Sequence, residues 1–252
     1  PVPPLDAEPD FTIENGLLRK MIEWTVFASA RESTRYAING VLWEVSGKEL
    51  VMAATDGRRL SVARGKLSSC RSKSIPNVIV PGKAMSLFNR LPGDPDASVA
   101  VKVSSNQLLL RVGRAVISTS LVEGHFPKYQ DVIPGDCDRT VELHTAEFHS
   151  GLKRAALLTN EESKGVRFSF SEGSLTMSSR APEQGEATIC LPVDYRGESM
   201  AIGFNPVFLL DVLRVTHTEK LTFAFKEPNR PGVLRMGEGF LHVVMPVNLS
   251  SA

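Results

Sequence analysis

The chain has 252 residues, room for one large or two ordinary domains. Its 42% hydrophobic and 23% charged residues are enough to bury a core, which excludes a disordered polymer. No run of about 18 apolar residues occurs, which excludes a spanning helix, and a net charge of +1 excludes a nucleic-acid binder held by bulk charge alone. The charge is uneven, however. Residues 1–134 carry 17 Lys and Arg against 13 Asp and Glu, a net of +4, whereas residues 135–252 carry 12 against 15, a net of −3. Any contact with nucleic acid must come from where the cations sit rather than from their number.

Cys70, Cys137 and Cys190 are odd in number and far apart, which argues against a disulfide framework and for a reducing cytoplasm. The five histidines (His125, His144, His149, His217, His242) have neither Cys-x-x-Cys nor His-Glu-x-x-His spacing, so no metal or cofactor is expected. Residues 1–10, "PVPPLDAEPD", have no basic n-region and no apolar h-region. Their Pro-rich, acidic text reads as a linker, and the chain as a piece of a longer one.

In chain order, Phe11–Ile13 predicts a short strand, and Leu17, Leu18, Met21, Ile22 and Val26 recur at helical spacing. Val41–Val45 and Leu50–Ala54 predict two strands around a Ser46-Gly47-Lys48 turn. "NVIVPGKAMSLFNRL" predicts a strand and a short helix, and residues 97–122 predict three strands with turns at Ser104-Ser105-Asn106 and Gly113-Arg114. From residue 139 the same order begins again. A strand leads into a helix capped by Thr145 with Phe148, Leu152, Ala155 and Ala156 on one face. Two strands follow around Ser171-Glu172-Gly173, then a strand, a helix with Asn205 as N-cap and Pro206 at its first position, and three strands. "VLWEVSGKELVMA" returns about 125 positions later as "VRFSFSEGSLTMS", an internal duplication with a period of one domain. Each copy is therefore expected to lay two helices on one side of curved antiparallel sheets, an α+β fold. The boundary is expected at Pro134-Gly135, giving domains 11–134 and 135–252.

The four predicted helices carry Arg19, Lys20, Lys83, Arg90, Lys153, Arg154 and Arg214 against the acids Glu14, Glu23, Glu147 and Asp211. One such helix reads as an ordinary solvated face. Four with the same bias, set by a duplication, suggest a mildly basic surface able to follow phosphates without reading bases.

The stretches "RYAINGVLWE", "ATDGRRL", "VIVPGKA", "LVEGHFPKY", "NEESKGVRF", "IGFNPVFLLDVL" and "VVMPVNL", in this order between residues 35 and 249, resemble the bacterial DNA polymerase III beta subunit, the sliding clamp, in a likeness that covers about residues 11–249. That resemblance implies the second and third of three repeats, helices on the inner wall and sheets on the outer wall of a homodimeric ring. It implies a non-catalytic processivity factor that encircles double-stranded DNA and binds the replicative polymerase, the clamp loader and repair proteins through short peptides. These two repeats alone are expected not to close the ring, because the first supplies half of each subunit interface.

"AATDGRRL", residues 53–60, admits three readings. Asp56-Gly57 is a turn signal, and no partner base or Gly-rich phosphate loop accompanies it, which argues against catalysis at Asp56, Arg58 and Arg59. The resemblance adds a wall of a hydrophobic peptide pocket and implies as its residues Ile38, Thr55, Gly57, Arg58, Arg59, Leu60, Pro127, Val132, Phe208, Val243, Met245 and Val247. Arg58 and Arg59 are expected to donate to a partner's polar tail. The chain departs from the family pattern at Arg58 (commonly His), Asp131 (Arg in some members), Phe208 (often Tyr) and in a Ser250–Ala252 tail that would crowd the pocket mouth. Arg31, Arg35 and Tyr36 match the DNA-facing loop of the second repeat, with Ala37 where a second Tyr is common. Basic residues closing a helix C-terminus are the alternative. The rival readings are an enzyme at Asp56 and a clamp-like scaffold outside replication.

Overall fold

The computed structural model describes residues 8–31, 37–72, 74–159, 165–181 and 185–248. The chain forms two compact units, 1–129 and 130–252. In the first, β1 (Phe11–Glu14) runs directly into α1 (Asn15–Thr25) and a 3-10 turn, Val26–Ala28. A meander follows: β2 (Gly40–Ser46), β3 (Glu49–Thr55), β4 (Arg59–Lys66) and a two-residue β5 (Ser69–Cys70). Then come β6 (Val78–Pro81), α2 (Gly82–Arg90), β7 (Ser98–Val103), β8 (Gln107–Val112) and β9 (Ala115–Ser120). The second unit has β10 (Arg139–His144), α3 (Thr145–Ala155) with a 3-10 turn Ala156–Leu158, β11 (Val166–Ser171), β12 (Ser174–Ala181) and β13 (Gly185–Pro192). β14 (Met200–Phe204), α4 (Pro206–Arg214), β15 (Lys220–Phe225), β16 (Gly232–Arg235) and β17 (Phe240–Val244) complete it.

The duplication is visible as pairing. Unit one orders its strands β1-β7-β8-β9 and β4-β3-β2-β6, and unit two orders them β10-β15-β16-β17 and β13-β12-β11-β14, all antiparallel. The interiors have diverged. Unit one fills its core with aliphatic side chains, Phe11, Phe88 and Trp43, whose indole N–H donates to Met85 Sδ at 3.4 Å. Unit two packs Phe148, Phe168, Phe170, Phe204, Phe223 and Phe225 edge-on or stacked, with Phe170 and Phe225 at 4.2 Å between centroids.

α1 and α3 lie on the sheets, α1 against β4 and α3 against β13, and each packs beside the second helix of its unit. Gly65 makes the first contact possible, since a Cβ there would stand 2.5 Å from Met21 Sδ. None of α1, α2 and α3 has a side-chain N-cap hydrogen bond; other groups satisfy α1. The N–H groups of Asn15 and Gly16 donate to the carbonyls of Ala97 (2.8 Å) and Pro95 (2.7 Å) in the loop after α2. Arg19 reaches the other way. Its guanidinium donates to Asn15 Oδ1 (3.0 Å), to the Asn89 carbonyl (3.1 Å) and to the Leu91 carbonyl, and lies 5.6 Å from the Phe88 ring centroid. A cation thus closes the C-terminus of α2, where the helix dipole favours it. Asn89 Nδ2 returns a bond to the Arg19 carbonyl at 3.0 Å.

Three local expectations change. Thr145 does not cap α3: His144 holds the N-cap position, and the Thr145 hydroxyl is buried without a hydrogen-bond partner. Glu14 ends β1 and holds the N-cap position of α1, with extended backbone, rather than lying within the helix. Val26 belongs to the 3-10 turn, since the Thr25 hydroxyl bonds back to the Met21 carbonyl (2.8 Å) where the α-helix ends. Asn205 does cap α4, accepting from the Val207 N–H at 3.0 Å, with Pro206 next.

Two substitutions test this packing. Gly65→Val is expected to lower unfolding stability by about 1–3 kcal/mol in urea titrations, because the added methyls must displace Met21. Arg19→Ala is expected to cost roughly 1–3 kcal/mol, whereas Lys20→Ala costs below about 1 kcal/mol.

Candidate functional site

Residues 55–60 form the link between β3 and β4, in register Thr55 to Leu60. The Thr55 hydroxyl donates to the Arg59 carbonyl (2.6 Å) and accepts from the Gly57 N–H (3.0 Å). Asp56 Oδ1 accepts from the N–H groups of Arg58 (3.0 Å) and Arg59 (3.2 Å), while its Oδ2 accepts from Arg59 Nε (3.1 Å). Gly57 sits at φ 88°, a left-handed conformation that a side chain resists, although space beside it is open. The carboxylate is therefore occupied by its own turn. An Asp engaged by two amides and a guanidinium is a local staple of its turn.

Arg59 continues inward. Its Nη2 donates to the Phe27 carbonyl at 3.0 Å, and its guanidinium carbon lies 5.4 Å from the Phe27 ring centroid. Its side chain is 9% exposed and that of Asp56 is 20%. In this arrangement the guanidinium turns toward Asp56 and the Phe27 carbonyl. Arg58 is exposed, and its side chain has no partner among the described residues.

Backbone bonds also tie other unit-one segments to one another. The Ala30 N–H donates to the Ile38 carbonyl (2.9 Å), and the Ala37 N–H to the His125 carbonyl (3.2 Å), two residues before Pro127. Ile38, Thr55 and Leu60 are buried, and Pro127 is half-buried. The segments 27–30, 37–38, 55–60 and 125–127 are thus laced together although they are far apart in sequence.

Unit two assembles its own apolar set. The segment after β17 folds beside β14: Pro246 bridges Phe204, and the Val247 N–H donates to the Gly203 carbonyl at 2.8 Å. This holds Met245 and Val247 next to the start of α4, where Phe208 sits in the first turn and is half-buried. Val243 is buried in β17, whereas Met245 is 41% and Val132 51% exposed. Val132 ends a 3-10 turn, Tyr129–Val132, on which Asp131 is exposed.

Of the cations expected to face DNA, Lys20 on α1, Lys83 and Arg90 on α2, Lys153 and Arg154 on α3 and Arg214 on α4 are exposed, as is Arg31 after α1. Lys20 Nζ lies 4.7 Å from the Trp24 ring centroid, and Arg214 faces Asp211 at 3.4 Å. Arg19 is withdrawn into the α1–α2 contact. Arg35 and Tyr36 lie outside the described residues. Sequence reading did not single out Leu87, Leu157 and Val207, which are 52%, 74% and 56% exposed. Leu87 shares a helical stripe with Lys83 and Arg90, a spacing that could have revealed it. Among the described residues there is no cluster of three or more His, Cys, Asp or Glu able to hold a metal, and no helix long and apolar enough to cross a membrane. The three cysteines are free thiols.

Comparison with known proteins matches both units in order. The family described as "DNA polymerase III beta subunit, central domain" covers residues 12–128, and "DNA polymerase III beta subunit, C-terminal domain" covers residues 130–248. The beta sliding clamp of Chlamydia muridarum is 33% identical over 239 residues, spanning 95% of this chain and 65% of that protein. That of Escherichia coli K12 is 34% identical over 247 residues, spanning 96% and 66%. A crystal structure of the DNA polymerase sliding clamp from Pseudomonas aeruginosa superposes with a TM-score of 0.90 at 33% identity, covering 97% of this chain and 68% of that one. The chain thus spans slightly less than two thirds of the length of these curated relatives.

Proposed function

The chain belongs to the DNA polymerase III beta-subunit, or sliding-clamp, family, and from that premise we propose that the protein is a DNA sliding clamp, a processivity factor rather than an enzyme. In this reading the intact protein closes as a homodimeric ring around duplex DNA in the cytoplasm. It tethers the replicative polymerase, the clamp loader and repair proteins by short peptides. The two units correspond to the family's second and third repeats. A tether raises the polymerase's effective concentration at the primer end without new chemistry.

The observation that carries the reading is the distribution of exposed cations over a duplicated helix pair. Lys20, Lys83 and Arg90 in unit one and Lys153, Arg154 and Arg214 in unit two all lie on helices, at solvent, with few neighbouring acids. Sliding needs contact that is weak, sequence-independent and easily exchanged, which a sparse row of Lys and Arg supplies and a dense patch would not. The non-catalytic side of the reading is supported by Asp56, whose two oxygens are already held within its turn.

For partner peptides we assign Ile38, Thr55, Gly57, Arg58, Leu60 and Pro127 in unit one, with Arg59 supporting them from behind, and Val132, Phe208, Val243, Met245 and Val247 in unit two. Apolar anchors need dry surface, and an exposed Met adapts to anchors of different shape. Arg58 offers rim charge to an acidic or polar tail.

The test is titration of a labelled peptide bearing a Gln followed by Leu, Leu and Phe. Binding of roughly micromolar strength is expected, weakened about tenfold or more by Met245→Ala and by Gly57→Trp. Absence of binding to the unsubstituted chain, or retention of full affinity in both variants, would remove the pocket from this position.

A further inference from the structure

The turn that carries Gly57 and Arg58 has a support whose side chain points away from solvent. We infer that Arg59 is a positioning residue for partner-peptide binding: with Asp56 it fixes the Thr55–Leu60 turn onto the end of helix α1, and it acts on the peptide only through that turn. The inference rests on the pocket reading proposed above and adds to it the device that keeps one wall in shape.

The geometry is specific. Among the described residues Arg59 holds at least Asp56 Oδ2 at 3.1 Å, the Phe27 carbonyl at 3.0 Å and the Phe27 ring at 5.4 Å. Asp56 in turn holds the N–H groups of Arg58 and Arg59. Without that carboxylate in place, two amides lose their acceptor in a turn that already contains a left-handed Gly57. Phe27 lies in the 3-10 turn that ends α1, so the wall is tied to a helix bearing the exposed Lys20. A planar, five-donor guanidinium can serve a carboxylate, a carbonyl and a ring together, and an ammonium cannot keep all three. A wall held in its bound form before the peptide arrives avoids the ordering cost of binding.

The experiment compares Arg59→Ala, Arg59→Lys, Asp56→Asn, the double variant Asp56→Asn/Arg59→Ala and Phe27→Leu in the peptide titration. Amide exchange at Gly57, Arg58 and Arg59 and the thermal midpoint are read in parallel. Expected are about tenfold weaker binding for Arg59→Ala and a loss of similar size for Asp56→Asn, a double variant no weaker than the worse single one, and partial recovery in Arg59→Lys. Faster exchange confined to the turn accompanies the loss, with the melting transition retained. Phe27→Leu, which keeps bulk and removes the aromatic face, gives a smaller loss of the same kind. Wild-type affinity in Asp56→Asn, losses that simply add, or faster exchange with unchanged affinity would each overturn the inference, the second by making Arg59 a direct peptide contact. If Arg59→Ala does not fold, Asp56→Asn and Phe27→Leu carry the same decision. Met245→Ala separates the two levels: peptide binding that ignores Met245→Ala sinks the pocket reading, whereas binding lost in Met245→Ala but intact in Asp56→Asn sinks only the role of Arg59.

Discussion

Helices of nine and eleven residues have little independent stability in water, so the four here exist because each buries one face on a sheet and leans on a neighbour. That constraint orders much else. Leu18, Met21 and Ile22 are buried under α1, and Phe148, Leu152 and Ala155 under α3. The inner faces cannot vary without loss of the helix. The outer faces are free to carry Lys20, Lys83, Lys153 and Arg154 because little structural is asked of them beyond the contact of Lys20 with the Trp24 ring. Arg19 shows the limit of that freedom: it stands beside Lys20 in sequence, yet its guanidinium closes the end of α2. Composition treats the two residues alike, and packing separates them.

The same economy governs the turn after β3. An acid, a glycine and two arginines in eight residues invite a catalytic reading, but Asp56 serves amides and Arg59 serves Asp56 and Phe27. Charged groups so engaged are hydrogen-bonded in a largely dehydrated place, where the interaction is stronger than at the surface. What remains outward is Arg58 and an open space over Gly57. In the proposed clamp, rigidity behind and openness in front are the two properties a peptide wall requires.

Much of the fold was legible because it follows period-two and period-3.6 patterns bounded by turn residues. The hairpin around Ser46-Gly47-Lys48, the strand before Pro81 and the capped start of α4 at Asn205-Pro206 all carry local signals. The errors fell where distant backbone supplied what local reading assigned to a side chain. Thr145 looks like a cap, but the start of α3 is taken up in β10 and β15, with the Thr145 N–H donating to the Glu219 carbonyl at 2.9 Å. The two-residue β5 is stitched to β1 across more than fifty positions and has no pattern of its own. At the candidate site the family resemblance suggests which residues to consider, but the direction of Arg59 could not be read, since it depends on a carbonyl 32 residues away.

The duplicated topology also shows which part of the sequence specifies it. Two units share strand order and helix placement while one core is mainly aliphatic and the other is a cluster of phenylalanines. Patterning of apolar positions, rather than a particular set of interlocking side chains, is therefore sufficient to repeat the architecture. Interior identity then tunes stability, and the surfaces diverge independently: unit one develops the locked Asp56-Arg59 turn, and unit two draws the strand end at Met245 beside α4 through the Phe204–Pro246 bridge. A fold whose repeats tolerate such divergence can alter the surface of either copy without changing the frame that carries the cationic helices.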